Sequence, residues 1–369
     1  MSANITIAVD AMGGDHGPGV VVPAALAIIE ERDDVDLILC GDRAVIEAKL
    51  GSSPPARRLR IHHTCEAVEM DEPPAKALRS KRDSSMRLAI DLVHEGQADA
   101  CVSAGNTGAL MAIARFVLKT LPGVSRPAII SALPTTRGQT HVLDLGANIE
   151  STPRHLLEFA AMGSALTSAV DEIERPRVGL LNIGQEVIKG NEQVREAAQL
   201  LERSDLNYIG FVEGDGIYRG AADVVVCDGF VGNVALKSSE GVARMISEVT
   251  RREFKRGVVT RLAGLLAGPV LRTIARRMDP RRYNGASFVG LRKIVIKSHG
   301  SADIVAWRRA ILEAVAETGK NVPGRIGEGI AATLEAVENS LESSESSESS
   351  ESSPGDADTP ACMKIGEEA

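Results

Sequence analysis

The chain has 369 residues, of which 44% are hydrophobic and 3% aromatic, and it carries a formal net charge of −8. This length can form one large domain or two, and the core must be built from aliphatic side chains because aromatic ones are scarce. The negative charge and the lack of aromatic stacking surfaces argue against a nucleic-acid partner.

Apolar runs of strand character alternate with amphipathic helical patterns along most of the chain. The first strand is ITIAVD at 5–10, and others are predicted at 35–40, 59–63, 100–102, 128–133, 141–145, 177–183, 206–212, 223–227 and 293–297. Such alternation is typical of right-handed βαβ units. We therefore predict an α/β fold with a Rossmann-like, doubly wound and mainly parallel sheet.

The five cysteines are scattered singly and form no C-x-x-C pair. That usage predicts a reducing, cytoplasmic compartment without disulfides or structural zinc. The charge-free apolar run at 262–271 is too short to span a bilayer.

Polar, glycine-rich turns follow five of the predicted strands. They begin at Asp10, Ser103, Asp144, Asn182 and Asp228. In parallel sheets, ligands bind outside the carboxyl ends of the strands. We expect the five turns to share one edge of the sheet and to form one site there.

The turn SAGNTG at 103–108 joins a strand to a helix. Its glycines let backbone approach a ligand closely, and the N–H groups of the helix start favour an anion. An ordinary turn in which Asn106 or Thr107 caps the helix has the same composition. Both interpretations stay open on this stretch alone.

Several well-known catalytic motifs are missing from these turns. None matches G-x-G-x-x-G or G-x-x-x-x-G-K-[ST], and the histidines are not spaced as metal ligands, so neither a cofactor nor a metal is expected. There is no G-x-S-x-G motif, and Ser103 has no obvious base, which disfavours a covalent serine mechanism. A site rich in Asn, Asp, Gly and Lys instead suits an enzyme that positions an anion and a carbonyl.

Long motifs recur along the chain in an order that identifies a family. They are AVDAMGGDHGP at 8–18, DEP at 71–73, K-x-DSSM at 81–86, VSAGNTGALMA at 102–112, DLGAN at 144–148, NIG-x-E-x-x-KGNE at 182–192, DVVVCDGFVGNVALK at 223–237, YNGA at 283–286 and KSHG at 297–300. Over residues 4–335 the chain resembles the bacterial acyl-[acyl-carrier-protein]:phosphate acyltransferases of phospholipid synthesis.

The resemblance implies that inorganic phosphate attacks the thioester of a long-chain acyl carrier protein, which releases acyl phosphate and free carrier protein. A membrane-bound glycerol-3-phosphate acyltransferase then uses the acyl phosphate. A homodimer is also implied, with a fold similar to the phosphotransacetylase and isocitrate/isopropylmalate dehydrogenase architecture. Neither a metal nor a nucleotide cofactor is implied.

Four residues are expected to take part in catalysis: Lys189, Asn233, His16 and Asp10. Lys189 would hold phosphate or the developing oxyanion, Asn233 would complete that pocket, and the other two would orient groups or handle a proton. Alternatives are an exposed helix charge for Lys189 and a helix cap for Asn233. The residues expected to bind phosphate or substrate are Gly13, Gly14, Asp15, Ser103, Asn106, Thr107, Asn148, Glu186, Asn191, Asp228, Lys297 and His299.

Residues 251–282 hold ten basic and two acidic residues, with apolar residues at helical spacing between them. Gly268-Pro269 interrupts the pattern, which predicts a protruding pair of amphipathic helices with an apolar tip. The residues expected to contact a membrane surface or the carrier protein are Leu262, Leu265, Leu266, Val270, Arg261 and Arg272. A dimer interface with a solvated basic face is the alternative. The protein is thus expected in the cytoplasm, peripherally associated with the inner face of the cell membrane.

We expect a single α/β acyltransferase domain at 1–341, which includes the protrusion at about 251–282. A disordered tail rich in Ser and Glu is expected at 342–369. Two other functions are considered: a nicotinamide-dependent hydroxy-acid dehydrogenase of similar architecture, and a non-enzymatic scaffold that binds acyl carrier protein at a membrane surface. The missing nucleotide motif counts against the dehydrogenase.

Overall fold

The computed structural model describes residues 4–51, 57–186, 188–277 and 279–351. Its strands form one sheet in the order β3-β2-β1-β4-β11-β10-β5-β6-β9-β7-β8. They are β1 (Ile5–Asp10), β2 (Val35–Gly41), β3 (Leu59–His63), β4 (Ala100–Ser103), β5 (Ala128–Thr135), β6 (Gly138–Leu143), β7 (Val178–Leu181), β8 (Tyr208–Val212), β9 (Val224–Val226), β10 (Ala286–Val289) and β11 (Ile294–Lys297). All the predicted strands are present, and β10 is an additional one.

Helices cover both faces of this sheet. They are α1 (Pro18–Glu31), α2 (Arg43–Leu50), α3 (Pro74–Ser80), α4 (Ser85–His94), α5 (Thr107–Leu118), α6 (Pro153–Asp171), α7 (Glu192–Glu202), α8 (Gly214–Arg219), α9 (Gly229–Lys255), α10 (Val258–Leu266), α11 (Gly268–Arg277), α12 (Ile304–Gly319) and α13 (Val322–Glu351). On β1, Ile7 and Val9 pack with α1 and α12, whereas Ala8 packs with α4 and α5 on the opposite face. The predicted doubly wound α/β fold is therefore confirmed.

The direction of the strands reverses within the sheet. β1 to β4 and β11 run parallel, and β5 runs with them because β10 pairs antiparallel with both β11 and β5. β6 pairs antiparallel with β5, and β9, β7 and β8 continue parallel to β6. The carboxyl ends of β1, β4 and β11 define the first edge of the sheet, and those of β6, β7 and β9 define the opposite, second edge.

The expectation that the five polar turns share one edge is therefore wrong. The turns that begin at Asp10 and Ser103 lie at the first edge, and those that begin at Asp144, Asn182 and Asp228 lie at the second edge. The cause is the hairpin between β5 and β6. These strands follow one another without an intervening helix, so the second strand returns antiparallel to the first.

The predicted pair of amphipathic helices is confirmed in α10 and α11, which lie on either side of Ala267. The long helix α9 leads into them from the second edge. The four apolar residues expected to contact a membrane surface or the carrier protein have exposed side chains, as do Arg261 and Arg272. Within the described ranges, no helix is both long and apolar enough to cross a membrane.

The carboxyl-terminal helix differs from the sequence prediction. α13 continues through Glu351, so positions 342–351 of the expected disordered tail are helical in the structure. The run of Ser and Glu that suggested disorder does not stop the helix, because neither residue type breaks one as Gly or Pro does. The rest of the expected tail, 352–369, lies outside the described residues.

Candidate active site

At the first edge, the end of β1 is held by a buried carboxyl group. Asp10 accepts hydrogen bonds from Ser85 Oγ and Ser103 Oγ, each at 2.6 Å. Burial raises the pKa of Asp10, and the two hydroxyls oppose that rise. Ser103 is fully buried and also accepts from the N–H of Gly105 at 3.1 Å. Its hydroxyl thus donates to Asp10 within the fold, and its expected role as a phosphate donor stays a prediction.

The glycines at the first edge allow turns to pack closely. A Cβ on Gly13 would lie 2.5 Å from Asp10 Oδ2. Gly14 has a φ of 87°, and a Cβ there would lie 2.9 Å from the carbonyl oxygen of Gly300. The N–H of Asp15 donates to the same carbonyl at 2.8 Å, while the side chains of Asp15 and His16 are exposed. Gly13 thus lets the β1 turn pack against the β4 turn, where its Cβ would lie 2.8 Å from the nitrogen of Gly105, and Gly14 lets it pack against the β11 turn. Their expected contact with substrate stays a prediction.

The β11 turn brings two further basic groups to the first edge. Lys297 Nζ donates to the carbonyl oxygen of Ala104 at 3.3 Å and also contacts that of Ser298. Burial lowers the pKa of Lys297 to about 8, with Asp10 opposing this and Lys237 adding to it. His299 Nδ1 accepts from the N–H of Ser301, and burial followed by the charge of Lys237 lowers its pKa.

Asn106, expected to bind phosphate, instead caps α5. Its Oδ1 accepts from the N–H of Ala109 at 3.0 Å, and its Nδ2 donates to the carbonyl oxygens of Met70 and Glu72. The amide is therefore fully used within the fold. Thr107, the next residue, starts the helix and is exposed.

At the second edge, Asp144 organises the turn after β6. Its carboxylate accepts from the N–H groups of Ile129, Gly146, Ala147 and Asn148 and from Asn148 Nδ2, at 2.7 to 3.2 Å. Burial raises its pKa and these donors oppose the rise. All five hydrogen bonds come from N–H donors, so a proton on either carboxyl oxygen would point at the hydrogen of a donor. This arrangement favours the ionised carboxylate.

Asn148 connects this turn to the start of α9. Its Nδ2 also donates to the carbonyl oxygen of Pro127 at 2.9 Å, so its side chain is occupied and buried. Its own carbonyl oxygen accepts from the N–H of Gly229 at 2.8 Å. A Cβ at Gly229 would lie 2.4 Å from that oxygen, which explains why glycine stands there. The side chain of Asn148 thus holds this turn in place, and its expected ligand role stays a prediction.

The first turn of α9 exposes Asn233. Asp228 caps the helix by accepting from the N–H of Val231 at 2.9 Å. Asn233 lies one turn later, beside Gly146, where a Cβ would be 3.4 Å from the asparagine Cβ. Within the described residues, the Asn233 amide has no hydrogen-bond partner. It is therefore not the helix cap and is open to a ligand.

The turn after β7 exposes Lys189. Asn182 Nδ2 donates to the carbonyl oxygen of Lys189 at 3.2 Å, which closes the loop between them. Lys189 Nζ lies 2.9 Å from Glu186 Oε1, and this hydrogen bond lowers the pKa of Glu186. Both side chains are exposed, so an anionic ligand can displace Glu186 from the lysine. Asn191, in contrast, caps α7 by accepting from the N–H of Val194.

Lys237 is a residue that the sequence reasoning missed. It lies one turn after Asn233 on the same side of α9, pairs with Glu240 at 3.1 Å, and lowers the pKa of both Lys297 and His299. α9 therefore extends from the second edge to the neighbourhood of the first. The signal was available, because residues four apart on a predicted helix share one face.

Comparison with known proteins agrees with the fold and with the motifs. The family model described as "Fatty acid synthesis protein" matches residues 5–325. The phosphate acyltransferase of Methylococcus capsulatus is 62% identical over 325 residues, which cover 88% of this chain and 96% of the relative. That of Nitrosococcus oceani is 61% identical over 330 residues, covering 88% and 96%.

Solved structures with low sequence identity share the fold. The EutD phosphotransacetylase of Staphylococcus aureus is 18% identical with a TM-score of 0.55, and a phosphotransacetylase of Streptococcus pyogenes is 19% identical with a TM-score of 0.56. In both cases 85% of this chain and 94% of the other are covered. Together with the far more similar relatives, these findings show that the chain is a member of the phosphate acyltransferase family.

Proposed function

We propose that this protein transfers a long-chain acyl group from acyl carrier protein to inorganic phosphate, giving acyl phosphate for phospholipid synthesis. The observation that carries the proposal is the pairing, on neighbouring turns of the second edge, of an exposed cation with an exposed amide. Lys189 and Asn233 follow β7 and β9, which are adjacent in the sheet. The dehydrogenase and scaffold alternatives are not favoured, since the relatives are named phosphate acyltransferases.

The reaction needs an anion held near a carbonyl whose oxygen gains charge. Phosphate replaces Glu186 as the ion-pair partner of Lys189. Asn233 Nδ2 donates a hydrogen bond to the carbonyl oxygen of the acyl thioester. A phosphate oxygen attacks the carbonyl carbon, the carbon–sulfur bond breaks, and the electron pair leaves on the carrier-protein sulfur. A free thiol has a pKa of about 8.5, so the thiolate departs with little help from an acid.

Several first-edge residues keep their expected roles as predictions. Asp15, His16 and Thr107 are exposed there, whereas Asp10, Ser103 and Asn106 are used within the fold. Asp144 and Asn148 contribute to the reaction by fixing the turn beside Asn233. We assign the acyl transfer to Lys189 and Asn233 at the second edge. The helix α9, which carries Asn233 and Lys237, leads from there to the first-edge residues whose expected roles stay predictions.

A purified sample incubated with hexadecanoyl acyl carrier protein tests the proposal. We expect loss of the thioester only when inorganic phosphate is present, with acyl phosphate formed in equal amount. Loss of thioester without phosphate would indicate a hydrolase, and binding of the carrier protein without any loss would indicate a scaffold. Either result contradicts the proposed function.

We further propose that the protein is a homodimer in the cytoplasm that associates peripherally with the inner face of the cell membrane. Exposed Leu265 and Leu266 would enter the lipid surface while the surrounding arginines meet anionic headgroups. This contact would bring acyl phosphate to the membrane-bound glycerol-3-phosphate acyltransferase. The same basic surface suits an acidic carrier protein.

Flotation with anionic vesicles tests the membrane contact. We expect the Leu265→Asp/Leu266→Asp variant to lose vesicle binding, because two carboxylates replace the apolar tip. Val45→Asp, on α2, changes an exposed apolar residue elsewhere and serves as the control. Equal flotation of the tip variant and the control would contradict the membrane contact.

A further inference from the structure

Several large apolar side chains are exposed around Lys189 and Asn233 at the second edge, including Val231 and Val234 on α9. The four most exposed form what we call the apolar rim: Ile149, Ile183, Ile188 and Phe230, which are 77%, 78%, 83% and 62% exposed. Single exposed apolar residues are ordinary, but four of them on the turns of three neighbouring strands form a cluster. The first-edge turns at 11–17, 104–107 and 298–301 contain no exposed large apolar residue.

Hydrogen bonds in the turns place the rim next to the polar residues. The N–H of Ile183 donates to Asn182 Oδ1, and the amide of Asn182 closes the loop onto the backbone of Lys189. Ile188 directly precedes that lysine. On the other side, the bond from the Gly229 N–H to the Asn148 carbonyl brings the segment that holds Phe230 against the one that holds Ile149.

We propose that the apolar rim binds the hydrocarbon chain of the acyl donor, which extends from the carbonyl held by Asn233. This inference rests on the proposed function and adds the location of the acyl chain. The donor and product combine a polar reacting end with a long hydrocarbon chain. The second edge shows the same combination, a cation and an amide bordered by apolar side chains.

A second copy of this chain is a less suitable occupant of the rim. The Lys189–Glu186 pair lies between the rim residues in sequence and is exposed. A protein interface that covered the rim would also desolvate this pair, and the centres of interfaces are depleted in charged residues. An acyl thioester with phosphate instead supplies an anion for the lysine.

Kinetics with acyl carrier proteins of different chain length test the rim. For the variant Ile183→Ser/Ile188→Ser/Phe230→Ser, we expect kcat/KM with a 16-carbon donor to fall about thirtyfold or more, since each buried methylene contributes about fourfold. A 6-carbon donor, which reaches less of the rim, should lose less than about threefold. The preference for the long donor therefore shrinks by about tenfold or more.

Two substitutions of exposed apolar residues elsewhere serve as controls. Ile209→Ser on β8 and Phe116→Ser on α5 change side chains that are 42% and 55% exposed and lie outside the second-edge turns. Both controls should keep the wild-type preference for the long donor. Urea unfolding of each variant checks that it is folded, and Phe230→Ser alone replaces the triple variant if that one is destabilised.

Three outcomes would overturn the inference. The first is an equal loss with both donors, and the second is an unchanged chain-length preference. The third is a smaller molar mass of the rim variant by light scattering, which would make the rim an interface between copies. If the wild type consumes neither donor in the presence of phosphate, the proposed function itself fails, whereas the other outcomes leave it standing.

Discussion

The two edges of the sheet use polar side chains in different ways. At the first edge, the buried side chains of Ser103 and Asp10 form a hydrogen bond, and Asn106 caps a helix. At the second edge, the buried carboxylate of Asp144 binds backbone N–H groups, and the polar groups that remain, on Lys189 and Asn233, point to solvent. Buried polar groups thus shape the turns at both edges, but only the second leaves a cation and an amide exposed together.

α9 connects the two edges and separates the proposed reaction site from the proposed membrane contact. It begins beside Asp144, carries Asn233 one turn after the Asp228 cap, and brings Lys237 near Lys297. From Asn233 to Lys255 the helix extends about 33 Å at 1.5 Å per residue. Within one protomer, the apolar tip therefore lies far along the helix from the proposed reaction site.

The largest expected difference between the edges is in turnover. Lys189→Ala should lower kcat by about 10²–10³, because it removes the proposed charge partner of the phosphate. Lys297→Met, at the first edge, should lower kcat by less than about tenfold, because the lysine contacts backbone carbonyls rather than the reacting groups. Steady-state release of free carrier protein measures both.

Lys49→Ala on α2 is the matched control, because it removes an exposed lysine away from both edges. It should behave as the wild type. If Lys297→Met proved the more damaging substitution while Lys189→Ala stayed near the wild type, the chemistry would belong to the first edge.

A second difference should appear in stability. Asp144→Asn should lower the free energy of unfolding by about 3 kcal/mol, because its new NH₂ group must face N–H donors. Asp10→Asn should cost about 1 kcal/mol, because a serine hydroxyl can turn round and accept from the new amide. Urea unfolding of both variants measures this, and equal losses would show that the two carboxyl groups are held alike.

One stretch of the sequence indicated that the strand direction reverses between the two edges. Strands were predicted at 128–133 and 141–145 with no helix between them, which indicates a hairpin. The expectation of a single site treated every strand as part of a parallel βαβ unit. It therefore missed the antiparallel hairpin. The strands and most helix starts were predictable because β-branched runs and capping residues act locally, as in Asp228 before α9.

Which polar residues stay exposed was harder to predict. Asn106 and Asn233 both lie near a helix start. The amide of Asn106, however, donates hydrogen bonds to the carbonyl oxygens of Met70 and Glu72, more than thirty residues away. That contact depends on tertiary packing, which no local pattern encodes. β10 is a similar case, since its four residues gain strand geometry from pairing with β5 and β11.

The region between the two edges contains a buried acidic pair on α12. Glu317 is buried and accepts from Ser287 Oγ at 3.0 Å, and Glu313 pairs with Arg309 at 3.0 Å. Glu313 and Glu317 line a small cavity together with His141, and His141 Nε2 lies 3.0 Å from Asp171 Oδ2. Burial, followed by the negative charge of Glu313, raises the pKa of Glu317 well above its ordinary value.

The smallest expected effect is the pH dependence of this pair. Folding raises the pKa of Glu317, so its contribution to the free energy of unfolding depends on pH. That contribution is fully present below the pKa of the unfolded state and is lost as pH rises towards the pKa of the folded state. Glu317→Gln stays neutral and should be more stable than the wild type at pH 8 by about 1 kcal/mol, with the difference vanishing near pH 4. Glu328→Gln, an exposed change on α13, should show no such trend. Urea midpoints across this range measure it, and a variant that tracked the wild type at every pH would show that Glu317 is ionised without cost in the folded protein.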